Sequence, residues 1–193
     1  MLIDCGDFRI RSYRPDDIEG IARHANNPHV AETLRDRFPF PYTREDAEEW
    51  IDAALQQEVE THFAIDAGGG LVGTIGMRLG EDVYRQSAEI GYWISEDYWN
   101  RGITSRAVRA LTDWGFTEFD IIRVFAYVFE SNPASSRVLE KAGFELEGRM
   151  RCAVVKMGRV MDQLLYGRLA PGVKRGDGAP GDGAGESDGE VDG

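Results

Sequence analysis

The stretch EIGYWISEDYWNRGITSRA, from Glu89 to Ala107, contains the strongest structural signal in the chain. Its first half is apolar and aromatic and predicts a buried strand. An Arg-Gly turn at Arg101–Gly102 follows, and a helical period begins at Ser105. Such a turn aims several backbone N–H groups at one place, where the helix end adds about half a positive charge. The stretch therefore predicts an anion site suited to a pyrophosphate, although a plain strand–turn–helix with a surface arginine has the same pattern.

A second strand–turn–helix pattern lies in ESNPASSRVLEKAGF, Glu130 to Phe144. It follows IIRVFAYVF (Ile121–Phe129), whose nearly continuous apolar run is typical of a strand buried on both faces. Pro133 suits the first position of a helix, and Asn132 suits its cap. By itself this segment predicts only a capped helix after a buried strand.

The remaining periodicities place both segments in an α+β fold. Alternating or continuous apolar runs predict strands over 8–14, 62–67, 71–79, 88–94, 121–129, 144–155 and 160–169. Helical periods predict helices after Pro15 and Thr43, over 105–119 and over 133–142. Antiparallel hairpins leading into one β-α-β unit predict a mixed, mostly antiparallel sheet of about seven strands, with helices packed on its faces.

The composition changes sharply after Ala170. Residues 171–193 read PGVKRGDGAPGDGAGESDGEVDG and contain no aromatic residue. Such a segment buries too little apolar surface to offset the entropy lost on ordering. We therefore expect one folded domain over residues 1–170 and a disordered, acidic, Gly-rich tail over 171–193. A docking function for this tail is the alternative.

Charge and composition exclude several classes of function. A formal net charge of −12 argues against binding to nucleic acid or to an anionic membrane. Cys5 and Cys152 form no CxxC pair, and the three histidines lack the spacing of a helical metal site, so we expect free thiols and no metal. The N-terminus has no signal-peptide pattern and no apolar run approaches a membrane span, so we expect a soluble, cytoplasmic protein. The acidic composition fits a high-salt host and a GC-rich genome equally.

Together the two segments resemble the two signature motifs of the GNAT N-acetyltransferases, in the same order and at a similar separation. The chain also resembles the branch of bacterial ribosomal-protein N-terminal acetyltransferases (RimJ/RimL type), over about residues 8–169. The strings that carry this likeness are PYTREDAEEWI (Pro41–Ile51), VGTIGMR (Val72–Arg78), AEIGYWI (Ala88–Ile94), NPASSRVLEKAGF (Asn132–Phe144) and DQLLYG (Asp162–Gly167).

The resemblance implies that acetyl-CoA is the cosubstrate and binds in a gap between two splayed parallel strands, Ala88–Ile94 and Ile121–Phe129. The pantetheine arm would lie along one stretch of backbone, where an N–H would bind the acetyl carbonyl; that stretch is Tyr92, Trp93, Ile94 and Ser95. The pyrophosphate would bind at Arg101, Gly102, Ile103, Thr104, Ser105 and Arg106. Asn132 would bind the pantetheine amides, and Ser135 would lie near the thiol.

The resemblance also implies direct attack of a primary amine on the thioester, after the amine has lost a proton. Glu89 is the predicted base; a solvated glutamate or an arginine partner is the alternative. Ser135 is the predicted proton donor for the leaving thiolate; cofactor binding alone is its alternative. Arg35, Phe38 and Tyr92 are predicted at the amine site.

Some positions depart from the family pattern. Leu139 stands where many GNAT proteins have a tyrosine acid, and Val154 falls near the place where some members of the branch have a glutamate base. Trp99, Thr104 and Arg106 differ from the usual phosphate loop. The role of general acid is therefore open.

We predict acetyl transfer to the N-terminal α-amine of a protein. One alternative is a small amine, such as a polyamine, an amino sugar or an antibiotic. The other is an acetyl-CoA-binding module without catalysis. An acidic surface would attract a cationic peptide and a polyamine alike, so the net charge does not choose between acceptors. Homodimers are common in the branch and are compatible with the sequence.

Overall fold

The computed structural model describes residues 1–174, which form one eight-stranded sheet with helices on both faces. The strands are β1 (Leu2–Asp4), β2 (Arg9–Arg11), β3 (His62–Asp66), β4 (Leu71–Leu79), β5 (Ser87–Ile94), β6 (Arg123–Phe129), β7 (Glu145–Lys156) and β8 (Arg159–Leu169). The helices are α1 (Asp17–Ala25), α2 (Pro28–Ala31), α3 (Arg44–Leu55), α4 (Ile103–Glu118) and α5 (Pro133–Lys141).

The strand order across the sheet is β1-β2-β3-β4-β5-β6-β8-β7. Every neighbouring pair is antiparallel except β5 and β6, which run parallel. The predicted mixed, mostly antiparallel sheet is therefore confirmed, with eight strands instead of about seven. The additional strand is β1, which pairs only with β2 at the sheet edge. A strand of three residues is too short to show an alternating pattern in the sequence.

The helix boundaries follow local signals in the sequence. A capping box begins α3 after Thr43: the Thr43 N–H donates to Asp46 Oδ2 at 2.7 Å, and the Asp46 N–H donates to Thr43 Oγ1 at 3.2 Å. Helix α5 begins at Pro133 after the cap Asn132, and Gly143 follows its end with φ +89°. That left-handed conformation suits glycine because it has no β-carbon.

Two apolar layers hold the helices on the sheet. On one face, Ala107 and Leu111 of α4 are buried in the main core with Val124 of β6. On the other face, Ile21 of α1 and Ile51 of α3 pack in a second cluster with Ala64 and Leu71. Because α1 and α3 cover only this part of their face, Gly91 in the middle of β5 stays exposed.

The parallel pair β5–β6 separates soon after it begins. It pairs only at Ser87↔Arg123, Ala88↔Val124 and Glu89↔Phe125. Beyond Glu89, β5 remains paired with β4 as far as Ile94, and β6 remains paired with β8 as far as Phe129. The two strands therefore diverge into a wedge-shaped gap, which confirms the predicted splayed pair.

The chain leaves the sheet at its last described residues. The Ala170 N–H donates to the Ile122 carbonyl at 2.9 Å, and residues 171–174 continue as a turn and coil. Residues 175–193 of the predicted acidic tail lie outside the described residues, so the boundary after residue 170 stays a prediction. None of the helices in residues 1–174 is long and apolar enough to cross a membrane.

A buried ion network ties the edge of the sheet to α1. The Arg11 guanidinium donates to both carboxylate oxygens of Asp17 at 2.7 Å and, through Nε, to Asp66 at 2.7 Å. Arg11 is 5% exposed and Asp17 is 4% exposed. Asp17 also accepts the Arg14 N–H at 2.8 Å, so the network joins β2, β3 and the first turn of α1.

We expect Arg11→Ala to lower the free energy of unfolding by about 3–5 kcal/mol, because it leaves the Asp17 carboxylate buried without its charge partner. Urea denaturation at pH 7 measures the change. Arg9→Ala is the matched control, since Arg9 lies on the same strand but is exposed, and we expect it to change stability by less than about 0.5 kcal/mol. A similar small effect for both variants would contradict the assigned role of the network.

Candidate active site

The gap between β5 and β6 exposes backbone hydrogen-bonding groups. In an antiparallel pair, successive residues direct their N–H and C=O groups alternately toward the partner and away from it. The Ser95 N–H donates to the Val72 carbonyl at 2.8 Å, so the backbone N–H and C=O groups of the odd-numbered residues of β5 point toward β4. The N–H groups of Tyr92 and Ile94 therefore point into the gap. The Ile94 carbonyl accepts from Trp99 Nε1 at 3.0 Å.

Only some residues of the stretch predicted to hold a pantetheine arm direct their backbone groups into the gap. Tyr92 and Ile94 offer backbone groups to the gap, whereas Trp93 lies opposite Thr74 and its backbone is directed toward β4. Ser95 is 4% exposed, its N–H is used by Val72, and its hydroxyl lies 3.0 Å from His24 Nδ1. Two of the four predicted residues thus present free N–H groups where a ligand would lie.

The predicted pyrophosphate loop meets the start of α4 at the wide end of the gap. Gly102 caps the helix with φ +73°, and no side chain caps the N–H groups of the first turn. Ile103 is 4% exposed, so its side chain anchors the turn in the core while its N–H belongs to the helix end. An uncapped helix N-terminus of this kind is suited to bind an anion.

The two loop arginines have different surroundings. The Arg101 guanidinium donates to the Asp97 carbonyl at 2.6 Å and lies 4.8 Å from the Tyr98 ring centroid. Arg106 makes an ion pair with Asp7, with N–O distances of 2.6 and 2.9 Å, and this hydrogen-bonded pair lowers the pKa of Asp7. Arg106 therefore ties α4 to the N-terminal segment, while Arg101 stays beside the loop.

An open concavity of about 380 Å³ extends from this loop along α4 and α5. Its cationic side chains are those of Arg106, Arg109 and Lys141, and its one carboxylate is that of Asp113. No local pattern in the sequence singles out Arg109 or Lys141. They lie together only because α5 packs beside α4, which brings Lys141 into the concavity that Ser105 and Arg109 also line.

The predicted residues of α5 lie at the gap. Asn132 Oδ1 accepts the Ser135 N–H at 3.1 Å as the helix cap, which leaves the Nδ2 donors of Asn132 for a ligand. The Ser135 hydroxyl lies 2.9 Å from the Tyr92 hydroxyl, and either oxygen can donate. Burial raises the pKa of Tyr92, so this hydroxyl keeps its proton at neutral pH. Leu139 is buried in the core, so the hydroxyl beside Ser135 comes from β5 and not from α5.

On the opposite face of the sheet, a charged groove lies over Gly91. We call it the Gly91 groove; it is formed by Arg35, His62, Arg78, Glu89 and Gly91. Glu89 makes ion pairs through one oxygen with Arg35 and through the other with Arg78. The Glu89 side chain is 12% exposed, compared with 41% for Arg35 and 67% for Arg78. Glu89 is thus an arginine partner, as its alternative interpretation anticipated, and it also lines the groove.

His62 lies in the same groove by strand register. His62 is opposite Gly76, and Gly76 is opposite Gly91, so the three share one row of the sheet. A β-carbon on Gly76 would collide with Cδ2 of the His62 ring, whereas a β-carbon on Gly91 would have no neighbour within 4 Å. The β-carbon positions of two opposed residues, such as Gly76 and Gly91, are about 5 Å apart. The Cδ2–Nε2 edge of the His62 ring, which lies over Gly76, is therefore about that far from the open space above Gly91.

The two ring nitrogens of His62 differ in their surroundings. Its Nδ1 lies 3.0 Å from the Thr61 hydroxyl and 3.4 Å from the Gln57 amide. Burial and the charge of Arg37 lower the pKa of His62 below the ordinary 6.5, so the ring is neutral at pH 7. Metal-pair spacing does not reveal His62, and no other local pattern marks a single histidine that faces a groove across two strands.

The predicted amine-site residues fall on both faces of the sheet. Arg35 lies in the Gly91 groove, and Phe38 packs against Trp93 with ring centroids 5.9 Å apart. The Tyr92 side chain points to the opposite face, toward Ser135. A second concavity of about 240 Å³ adjoins Arg35 and is lined by Phe129, Val154 and Lys156. Val154 therefore reaches this side of the sheet but brings no carboxylate.

Within residues 1–174, no group of three or more His, Cys, Asp or Glu side chains is placed to hold a metal ion. The groups placed at the site are backbone amides, a hydroxyl pair, a neutral imidazole and an ion-paired carboxylate.

The sequence profile of the acetyltransferase (GNAT) domain matches residues 7–145. This chain belongs to the GNAT acetyltransferase family. YdaF of Bacillus subtilis (strain 168), provisionally named a ribosomal N-acetyltransferase, is 32% identical over 146 residues, which are 75% of this GNAT chain and 74% of YdaF.

Two further relatives match a smaller part of this chain or match it at lower identity. The uncharacterized N-acetyltransferase YoaA of Bacillus subtilis (strain 168) is 36% identical over 101 residues, or 52% of this chain. The match covers only 56% of YoaA, so this chain spans little more than half the length of that relative. The spermidine N(1)-acetyltransferase of Escherichia coli (strain K12) is 24% identical over 74% of this chain and 75% of its own length.

Solved structures establish the fold. RimL, a ribosomal L7/L12 α-N-protein acetyltransferase in complex with coenzyme A, has a TM-score of 0.78 at 21% identity, covering 88% of this chain and 98% of RimL. Mycobacterium smegmatis RimJ in complex with CoA-disulfide has a TM-score of 0.75 at 23% identity, covering 84% of this chain and 82% of RimJ. The predicted GNAT architecture is therefore confirmed.

We expect Tyr92→Phe to lower the free energy of unfolding by about 1 kcal/mol, because it removes the hydroxyl that pairs with Ser135 at the buried end of the gap. Urea denaturation at pH 7 gives the value. Tyr127→Phe serves as the control, since Tyr127 is 38% exposed and its hydroxyl is in no hydrogen bond seen within residues 1–174. Equal stability of the Tyr92→Phe variant and the parent would show that the hydroxyl pair contributes nothing to folding.

Proposed function

We propose that this protein is an acetyl-CoA-dependent N-acetyltransferase that acetylates the N-terminal α-amine of a protein. The observation that carries the proposal is the gap beyond Glu89, with free backbone groups along β5, an uncapped helix end at Gly102 and a hydroxyl pair at Ser135. Bound acetyl-CoA would supply the acetyl group as a thioester.

The residues present fit this cosubstrate. The uncapped first turn of α4 and Arg101 suit the pyrophosphate, with the predicted loop positions Gly102, Ile103, Thr104 and Ser105 contributing mainly through their backbone. Arg109 and Lys141 suit a further phosphate, because both line the adjoining concavity. The backbone at Tyr92 and Ile94 and the Nδ2 group of Asn132 suit the amides of the pantetheine arm. A gap-facing N–H of β5 would stabilise the oxyanion that forms when the amine attacks.

The proton needed by the leaving thiolate is available at α5. Ser135 is our proposed donor: its hydroxyl would pass its proton to the thiolate, and the proton that the amine releases to solvent would restore it. The Tyr92 hydroxyl, 2.9 Å away, would donate a hydrogen bond to the Ser135 oxygen. Burial raises the pKa of Tyr92, so Tyr92 keeps its proton and supports Ser135 without itself acting as the acid.

Two groups of the Gly91 groove compete to accept the proton of the attacking amine. Glu89 is the base expected from the sequence, but both of its oxygens are in ion pairs. His62 is neutral at pH 7 because burial and the charge of Arg37 lower its pKa. Within residues 1–174, its Nδ1 is the ring nitrogen that contacts other polar groups, and its Nε2 has no such contact. Either group would act directly or through one water.

The open shape of the groove favours the end of a polypeptide. Gly91 is exposed, and Arg35, which belongs to the groove, also lines the neighbouring concavity. YdaF is named for ribosomal acetylation and RimL for α-N-protein acetylation, which supports a protein acceptor. A small amine is the second candidate, because a spermidine acetyltransferase is among the relatives.

The proposal is tested by incubating the purified protein with acetyl-CoA and a panel of acceptors, following release of the coenzyme A thiol. The panel contains peptides with free N-termini, the same peptides with blocked N-termini, spermidine and aminoglycosides. We expect release with free N-termini only. Gly91→Val is the matched variant: its side chain enters the empty space above β5, so turnover should fall while acetyl-CoA binding, measured by calorimetry, is unchanged.

Each other outcome points to a definite alternative. Release with spermidine or an aminoglycoside alone would establish the small-amine candidate. Binding of acetyl-CoA without turnover on any amine would establish a binding module. No binding of acetyl-CoA would refute the proposed function.

The pH dependence of kcat/KM separates the two candidate bases. A free α-amine titrates near pH 8, so log kcat/KM rises with slope one below about that pH. If His62 accepts the proton, the slope of log kcat/KM increases to two below the pKa of His62, and this steeper part forms a second limb of the profile. Burial and the charge of Arg37 place that pKa below the ordinary 6.5. His62→Gln then lowers kcat and removes this second limb, whereas Glu89→Gln keeps it. A second limb that disappears only in Glu89→Gln would assign the role to Glu89.

A further inference from the structure

The Gly91 groove has an excess of positive charge on a protein whose net charge is −12. Its one carboxylate, Glu89, faces two guanidinium groups, those of Arg35 and Arg78. Both arginine side chains remain substantially exposed, at 41% and 67%, so their outer N–H donors reach solvent. One negative charge thus leaves the pair of arginines incompletely neutralised.

A third arginine adds to this excess. Arg37 is exposed and lies close enough to His62 that its charge helps lower the pKa of that histidine. Arg37 belongs to none of the ion pairs found within residues 1–174. Arg37 stands in the chain between Arg35, which pairs with Glu89, and Phe38, which packs against Trp93, so it adds a positive charge on the same face of the sheet.

The neighbouring concavity does not reverse the sign of the groove. Its Lys156 is 9% exposed and makes an ion pair with Asp36 at 2.8 Å, so these two charges balance each other. Its other lining residues apart from Arg35 are uncharged: Phe129, Val154, Val155 and Gln163. A ligand that extends from Gly91 toward this concavity therefore encounters cationic groups without a surplus of carboxylates.

We propose that the acceptor is an acidic N-terminus, that is, a polypeptide with Asp or Glu within its first few residues. The inference rests on the proposed function and names the class of its acceptor. A carboxylate next to the α-amine can pair with Arg35, Arg37 or Arg78, and guanidinium–carboxylate pairs add charge-assisted hydrogen bonds with a defined geometry. A polyamine would instead place further ammonium groups against three guanidinium groups.

This selectivity for an acidic N-terminus would act only at short range, against the net negative charge of the whole protein. The net negative charge acts over the whole surface and favours cationic ligands at a distance, but at physiological ionic strength screening limits that effect to about 8 Å. A peptide bound over Gly91 would lie beside the arginines that pair with Glu89, so these would decide which N-terminus is held.

The test compares kcat/KM for peptides of one length and one N-terminal residue that differ only at positions two and three, with Asp-Glu, Ser-Gln or Lys-Arg there. We expect the acidic peptide to exceed the basic one by about tenfold at low salt, and the ratio to shrink as ionic strength rises. Arg37→Glu should bring the ratio close to one. Arg9→Glu carries the same change of charge on an exposed residue of strand β2, and should leave the ratio unchanged.

The outcomes separate this inference from the function on which it rests. If no peptide is acetylated, the proposed function itself fails. If peptides are acetylated equally well, or the basic peptide is preferred, the function stands and the acidic acceptor is wrong. An acidic preference that persists in Arg37→Glu also overturns the assignment to this groove.

Discussion

The point where pairing between β5 and β6 stops governs the architecture of the site. Each strand is held on its outer side by an antiparallel partner, β4 or β8, along its full length. The parallel contact between them covers only three residue pairs, ending at Glu89 and Phe125. Past that point the backbone groups of both inner edges have no strand to pair with, and unpaired polar groups of this kind require water or a ligand. The turn at Gly102, the cap of α5 and the hydroxyl pair are all arranged around this opening.

The pleat of β5 then separates the two halves of the proposed chemistry. Neighbouring side chains on a strand point to opposite faces. Tyr92 thus contacts Ser135 on the α5 face, while Trp93 packs with Phe38 on the face that carries the Gly91 groove. A cosubstrate with its thiol near Ser135 and an amine above Gly91 would approach each other through the gap. In the proposed reaction, protonation of the leaving group and deprotonation of the amine would then fall to residues on different faces of the sheet.

Local charge differs from the net charge of the chain at both functional surfaces. The concavity beside α4 contains Arg109 and Lys141, and the Gly91 groove contains Arg35 and Arg78 against Glu89. An overall charge of −12 indicates neither of these surfaces. Short-range ion pairs and hydrogen bonds determine what binds, because screening removes most of the contribution of distant charges. Ligand selectivity at the two proposed sites would therefore follow from a few positioned side chains.

Elements and motifs with local signals could be predicted from the amino-acid sequence. These include the capping box at Thr43, the glycine after α5, the apolar period of β6 and the turn before α4. The partners of Glu89, the position of His62 and the short strand β1 emerge only in the folded chain. Glu89 meets Arg35 across 54 residues, and His62 reaches Gly91 only through its register with Gly76. A residue's own neighbours in the chain determine helix caps and strand periodicity. Strand register and helix packing determine which charges meet, and these depend on contacts between distant parts of the chain.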